Sequence, residues 1–376
     1  MAEFPAVLIL GPRQCGKTTL ARYAVEGSYF DLELPSHYQA FAADPEIALR
    51  GVAKPVVLDE AQSLPELFPV LRSLIDEHRG VPGRFLLLGS VNPGLLRNIS
   101  ESLAGRVGIL DLTPFVYPEV SGEAGVDFAA YWLRGGFPDA CLQEDPGAWQ
   151  RWQEAYVRTF VERDIPRHGL HASPQSMRRF MTMLAHLHGG LLNASELGRA
   201  MGVNYHTVQN YLDIAEGHYL VRRLPAWSGN LKKRLVKSPK VYIRDSGVLH
   251  HLLGIAGHEA LLTSPKRGYS LEGCMIEQII ALERRRTPGA AFSFYRTSAG
   301  AEVDLVVERA ADSIGYEFKT ALSVSRADAA GLRAALGDHV IRQARVVHLG
   351  EACFSLGDGV QAMGVDSLLA ELKASD

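Results

Sequence analysis

Residues 7–20 read VLILGPRQCGKTTL, and this stretch decides the fold of the N-terminal part of the chain. The apolar run Val7 to Leu10 suits a buried parallel strand, and Gly11 through Thr18 completes G-x-x-x-x-G-K-[ST], a Walker A phosphate loop. Gly11 and Gly16 let the N–H groups of Pro12's neighbours Arg13, Gln14 and Cys15 turn inward on a phosphate. The helix that opens at Lys17 points its positive end at the same anion. Lys17 is expected to neutralise the β- and γ-phosphates of ATP, Thr18 to ligate Mg²⁺, and Thr19 to sit at the rim. The helical TTLARYAV after the loop supplies the strand–loop–helix context the motif requires.

A phosphate loop needs an acidic partner at the tip of a neighbouring strand, and PVVLDE (55–60) provides one. Asp59 is expected in the Mg²⁺ shell, with Glu60 as general base or water-orienting group, and this pairing reads as hydrolysis. Strands are expected at 7–10, 29–32, 56–58, 85–89 and 107–112, with helices such as 18–25 and 66–78 between them. Such alternation means a parallel α/β sheet with its ligand outside the carboxyl ends of the strands. Asn92, just beyond the strand 85–89, either holds the lytic water or senses the γ-phosphate, or else forms a turn before Pro93. Arg106, in SLAGR, is either an arginine finger reaching the nucleotide of a neighbouring subunit, which implies a homo-oligomer, or a surface residue capping a helix C-terminus.

Composition bounds the rest. A chain of 376 residues with 47% hydrophobic and 22% charged residues is ordinary globular material with room for two to four domains. The net charge of −3 argues against a uniformly basic nucleic-acid coat, so such a partner would need a local patch. The four cysteines lie far apart with no C-x-x-C pair, which fits a reducing cytosol and gives no zinc signature. Cys15, inside the phosphate loop, reads as a candidate for oxidation. No apolar run approaches the roughly 18 residues a membrane helix needs, and no signal-peptide core leads the chain. The expectation is a soluble, cytoplasmic protein with no membrane partner.

The strings GPRQCGKTTLA, VVLDEAQ, LLLGS, SLAGR and LTPFVYPE, followed by GGFPDA, FVERDI, PKVYIRDSGVLHHLLG and YRTSAGAEVDLVVE, resemble the prokaryotic AAA+ ATPases that carry a C-terminal domain of unknown function. The resemblance spans nearly the whole chain. It implies an AAA+ P-loop core over 1–113, a helical lid over 114–168, a winged helix-turn-helix over 169–255 and an α/β restriction-endonuclease-like domain over 256–376. The Gly135-Gly136-Phe137-Pro138 turn is similar to the GxP element of related ATPases, although helix punctuation accounts for it equally.

Within 169–255, Ser195 caps one short helix, Gly202 makes a tight turn and 205–216 forms a second helix with Val208, Leu212 and Ala215 on its apolar face. This is helix-turn-helix grammar, with Asn204, His206, Thr207 and Gln209 among the outward positions able to meet base edges or phosphates. Strands at 219–224 and 240–243 would form the wing. Between Arg222 and Arg244 lie Arg223, Lys232, Lys233, Arg234, Lys237 and Lys240 with no acidic residue, which reads as a surface for double-stranded DNA, or as a module that docks a protein. Further on, Glu277 in a helix, Asp304 closing an apolar strand, and Glu317 and Lys319 on one strand face form the constellation of a PD-(D/E)XK nuclease. Asp304, Glu317 and Glu277 would hold Mg²⁺, with Lys319 orienting water. The alternative is a fold used only for binding. The function implied is an Mg²⁺-dependent ATP-hydrolysing protein coupled to a DNA-binding, nuclease-like module. The rival is a nucleotide-gated regulator or toxin-like protein that recruits a protein partner, with little turnover and no cleavage.

Overall fold

The computed structural model describes residues 1–89, 99, 101–122, 124–164, 173–229 and 235–374. The chain divides into two compact units, Met1–Pro114 with Gly217–Tyr219, and Phe115–Glu216 with Leu220–Asp376.

The first unit is built on strands β1 (Ala6–Leu10), β2 (Ser28–Asp31), β3 (Val56–Asp59), β4 (Phe85–Gly89) and β5 (Val107–Asp111). They lie in the order β2-β3-β4-β1-β5 and every pair is parallel. Near-continuous apolar runs suit a sheet covered on both faces. The two-residue period of a strand then sorts their side chains. Leu8, Val56, Leu58, Phe85 and Leu87 face a core completed by Leu67, Phe68, Leu71 and Leu74 of the helix Leu67–Glu77. Ile9, Val57, Leu86 and Leu88 face the other way, onto Ala21 and Val25 of the helix Lys17–Ala24 and its end. Because β1 lies between β4 and β5, the loop at its carboxyl end opens beside the tip of β4 and next but one to β3, where a ligand finds several strand ends at once.

The second unit holds a six-stranded mixed sheet, β12-β13-β11-β10-β9-β8, and a two-stranded antiparallel ribbon, β6-β7. Their ranges are β6 (Val221–Leu224), β7 (Lys240–Ile243), β8 (Ala291–Arg296), β9 (Glu302–Glu308), β10 (Ser313–Lys319), β11 (Gln343–His348), β12 (Phe354–Gly357) and β13 (Val360–Gly364). The helix Arg267–Arg286 covers one sheet face through Leu271, Met275, Ile279 and Leu282 against Leu305, Val307, Tyr316 and Phe318. The helix Ala330–Gly337 covers the other through Leu332 and Ala335 against Val303, Val306 and Val346. Two further helices, Ala194–Met201 and Tyr205–Gly217, are joined by a turn in which Gly202 has φ 72°, and the ribbon comes after them in the chain.

The expected boundaries at 168 and 255 fall inside this one unit. Val116, Tyr117, Tyr131 and Trp132, from the segment read as a lid, share a core with Met275 and Ile279. Trp132 Nε1 donates to Ser270 Oγ at 2.9 Å, and Tyr117 N donates to Gln278 Oε1 at 2.6 Å. The Gly-Gly-Phe-Pro turn is tied here as well. Asp245, which caps the helix Ser246–Leu252 by accepting from Val248 N, also accepts from Gly136 N at 2.8 Å. Of the two readings of that turn, helix punctuation is the one its contacts express.

Candidate functional site

At the end of β1 the chain turns through Gly11, where a Cβ would lie 2.2 Å from Leu112 O, so only glycine lets these backbones approach. Gly16 has φ 97°, a left-handed position that glycine takes without strain, and the helix Lys17–Ala24 starts directly after it. Lys17 is 7% exposed, and its ammonium donates to Pro12 O at 2.7 Å and Gly11 O at 3.1 Å. A buried cation satisfied by carbonyls of its own loop sits at the phosphate end of the motif, as the spacing predicts. Arg13 lies 3.7 Å from Glu33, Gln14 has φ 61° and Thr19 is exposed. Cys15 does not read as an oxidation site in the structure. It is buried, and that burial pushes its thiol up, away from the thiolate that oxidants attack.

Thr18 Oγ1 donates to Asp59 Oδ2 at 2.6 Å, so the two side chains expected to share a metal already converge from separate elements. The second oxygen of Asp59 accepts from Glu60 N at 2.9 Å. Glu60 itself has φ 52°, an uncommon position for a side chain of its size, and Gln62 Nε2 donates to its carboxylate. Burial pushes the Glu60 carboxyl above the ordinary range, while Arg13, Gln62 and Lys17 pull it back. The sequence reading missed Tyr29. From β2 its hydroxyl donates to Asp59 Oδ2 at 2.7 Å, and burial together with Asp59 raises the phenol to about 12. Arg22 lies 4.5 Å over the Tyr29 ring and fixes it further. An aromatic residue in a short strand carries no sign of this role until the parallel register Tyr29↔Val57 places it beside Asp59. The donor set of a hydroxyl and a carboxylate beside a buried ammonium at the start of a helix fits a magnesium nucleotide.

Arg106 lends itself less to a finger. Its Nε and Nη2 each lie 2.8 Å from an oxygen of Asp76, and Nη1 donates to Ala104 O at 3.0 Å. Those contacts favour the capping alternative. Asn92 lies outside the described residues.

In the second unit four of the eight cations of the basic stretch, Arg222, Arg223, Lys240 and Arg244, are paired internally. Arg222 and Arg244 both pair with Glu277, Arg223 pairs with Glu216 and Asp213, and Lys240 is 2% exposed among carboxylates. Each of these cations is met by an acid outside the stretch, so a local run without Asp or Glu concealed the pairing. Lys237 is exposed, and Lys232, Lys233 and Arg234 lie outside the described residues. Among the outward positions of the helix Tyr205–Gly217, Asn204 Oδ1 accepts from Thr207 N at 2.8 Å and from Thr207 Oγ1 at 3.0 Å, which is a helix cap. Gln209 Oε1 accepts from Arg223 Nη1 at 3.4 Å, and His206 is exposed.

Glu277 is taken up by two arginines, Arg222 and Arg244. Its side chain is 13% exposed; burial alone would raise its carboxyl, but Arg222 and Arg244 hold it at about 2. The acid on this helix that meets the sheet is Glu272, which sequence reasoning missed. Glu272 Oε1 accepts from Lys240 Nζ at 2.8 Å and from the Tyr242 hydroxyl at 2.5 Å. Asp304 and Glu317 lie on the neighbouring strands β9 and β10, Asp304 near the start of its strand and not closing it, with Phe318 N donating to Asp304 at 3.0 Å and Lys319 Nζ to Glu317 at 2.8 Å. Even so, among the described residues no group of three His, Cys, Asp or Glu side chains is arranged to hold a metal ion. Replacing Glu277 with Gln should therefore cost the chain about 3 kcal/mol in urea unfolding without any metal, because two largely buried guanidiniums lose their carboxylate. Equal stability of Glu277→Gln and wild type would show that the ion-pair cluster is inert.

A five-stranded parallel sheet with a phosphate loop after β1 and a carboxylate pair after β3 defines an AAA-type P-loop ATPase domain. Comparison with known families agrees, since the AAA domain family matches residues 3–121. Two domains of unknown function, DUF8612 and DUF4143, match residues 125–259 and 267–368. Uncharacterized proteins of Mycobacterium tuberculosis and Mycobacterium bovis are each 42% identical over 373 residues, covering 97% of this chain and 81% of theirs. The chain belongs to the family of these mycobacterial proteins. The crystal structure of protein VC1899 from Vibrio cholerae aligns with 98% of this chain and 96% of its own at 11% identity, but with a TM-score of 0.21. At that score no likeness of fold is drawn. No described helix is long and apolar enough to cross a membrane.

Proposed function

We propose that the chain binds ATP with Mg²⁺ and hydrolyses it, and that nucleotide state governs what its C-terminal half holds. The observation that carries this is the 2.6 Å contact of Thr18 Oγ1 with Asp59 beside the buried Lys17 ammonium. Held by Thr18 and Asp59, Mg²⁺ would neutralise charge on the β- and γ-phosphates. Lys17 exchanges its loop carbonyls for phosphate oxygens, and Tyr29 keeps Asp59 turned toward Thr18. Glu60 accepts a proton from water as the water oxygen attacks the γ-phosphorus. Its burial makes it a stronger base than an exposed glutamate, while Arg13, Gln62 and Lys17 pull the other way.

For the C-terminal half, the helix-turn-helix and wing reading supports DNA, with Lys232, Lys233 and Arg234 as the phosphate contacts. One observation favours a protein partner instead: the cations Arg222, Arg223, Arg244 and Lys240 are committed to internal carboxylates. The steady-state ATPase rate of the full chain, measured with and without double-stranded DNA, separates the two. Turnover is expected in both cases, and stimulation by DNA would support the first reading. A rate indifferent to DNA moves the assignment to a protein partner, and no turnover in either case removes hydrolysis.

A further inference from the structure

Lys240 stands on β7 in a strand that is buried throughout, yet its ammonium lies 2.8 Å from Glu272 Oε1, 2.7 Å from Glu302 Oε1 and 3.7 Å from Asp304 Oδ1. The three acids come from the helix Arg267–Arg286 and from β9. Glu302 and Asp304 share a face by the two-residue period of a strand. Arg296 approaches Glu302 at 3.5 Å, and Lys319 serves Glu317 from β10. Carboxylates this close do not stay ionised out of water without a cation among them. We propose that Lys240 is the resident cation of this acidic pocket, standing where the sequence pattern calls for a divalent metal, so that this half of the chain takes up no metal and performs no metal-dependent cleavage of nucleic acid.

The geometry supports it independently of the ATPase reading. The carboxylates Glu272 and Asp304, which would have to share a metal, both face the lysine. The Tyr242 hydroxyl, on the same face of β7, donates to Glu272 Oε1 and further satisfies the oxygen that the ammonium holds. Lys240 also carries a mechanical consequence. Since it sits on the ribbon and its acids on the sheet and long helix, the same ion pairs hold the ribbon in place.

The test uses the full chain without nucleotide, with Mn²⁺ as probe, read by electron paramagnetic resonance of free Mn²⁺ and by thermal unfolding. Wild type should show no Mn²⁺ uptake that Asp304→Asn removes. Lys240→Met should bind one equivalent with affinity at least roughly tenfold above wild type, and melt at a higher temperature when Mn²⁺ is added. Adding Asp304→Asn to Lys240→Met should abolish both effects. The double variant Lys240→Met with Glu272→Gln should fold without Mn²⁺ and ignore it. If Lys240→Met folds only in the presence of Mn²⁺, that too supports the assignment. Uptake by wild type that Asp304→Asn abolishes would overturn it. So would a Lys240→Met protein that folds yet ignores Mn²⁺, or one that stays unfolded in Mn²⁺ while the double variant folds.

Discussion

Glu60→Gln should bind ATP as tightly as wild type and turn it over about 10²–10⁴-fold more slowly, the range a positioned general base supplies. The substitution keeps the side chain's size and removes its ability to take a proton. Ground-state contacts come from Lys17, Thr18 and the loop amides, which the change leaves in place, so the loss falls on kcat and not on binding. Single-turnover hydrolysis beside equilibrium binding of a fluorescent ATP analogue separates the two quantities. The pH profile adds a second readout. Burial raises the Glu60 carboxyl, so the wild-type rate should climb with pH through a value above that of an ordinary glutamate, as the base loses its proton. The variant should lack that limb. Equal rates for Glu60→Gln and wild type would remove Glu60 from the mechanism.

Lys17→Ala should lose nucleotide binding itself. The Lys17 ammonium makes two hydrogen bonds to the loop, to Gly11 O and Pro12 O, and both are available for exchange with phosphate oxygens. Charged hydrogen bonds contribute about 1.5–3 kcal/mol each, so losing two weakens ATP by roughly 10²–10⁴-fold. Isothermal titration with ATP and Mg²⁺ measures this directly. The variant should still fold, because an alanine at the start of a helix costs little and removes a buried charge. A Lys17→Ala protein that binds ATP normally would detach the loop from the nucleotide.

The two ends of the chain differ in how far their sites could be read from sequence. The phosphate loop and Asp59-Glu60 were legible because each is contiguous, and spacing alone places their atoms; β3 and β4 emerged within a residue of expectation for the same reason. Tyr29 was not, since its contact depends on which strand neighbours β3. The C-terminal pocket failed at a helix face. Glu272 and Glu277 are five residues apart, about 140° around an α-helix, so only one of them meets β9, and the sequence does not say which. The internal pairing of the basic stretch was hidden for a related reason. Arg222, Arg244 and Lys240 find acids more than thirty residues away, and a run without local carboxylates looks the same whether its charges face solvent or one another.

The segment that joins the two strands of the ribbon meets β8 through its backbone. Trp227 N donates to Phe294 O at 2.7 Å, Phe294 N donates to Pro225 O at 3.0 Å, and Val236 N donates to Arg296 O at 3.0 Å. β8 is the last strand of its sheet, so these bonds occupy the row of amides and carbonyls that a bare edge would offer to any passing strand. A fragment cut to begin at Ala256 would bare that row and at the same stroke strip Glu272, Glu302 and Asp304 of their ammonium. Such a piece should therefore be a template for aggregation where the full chain is not.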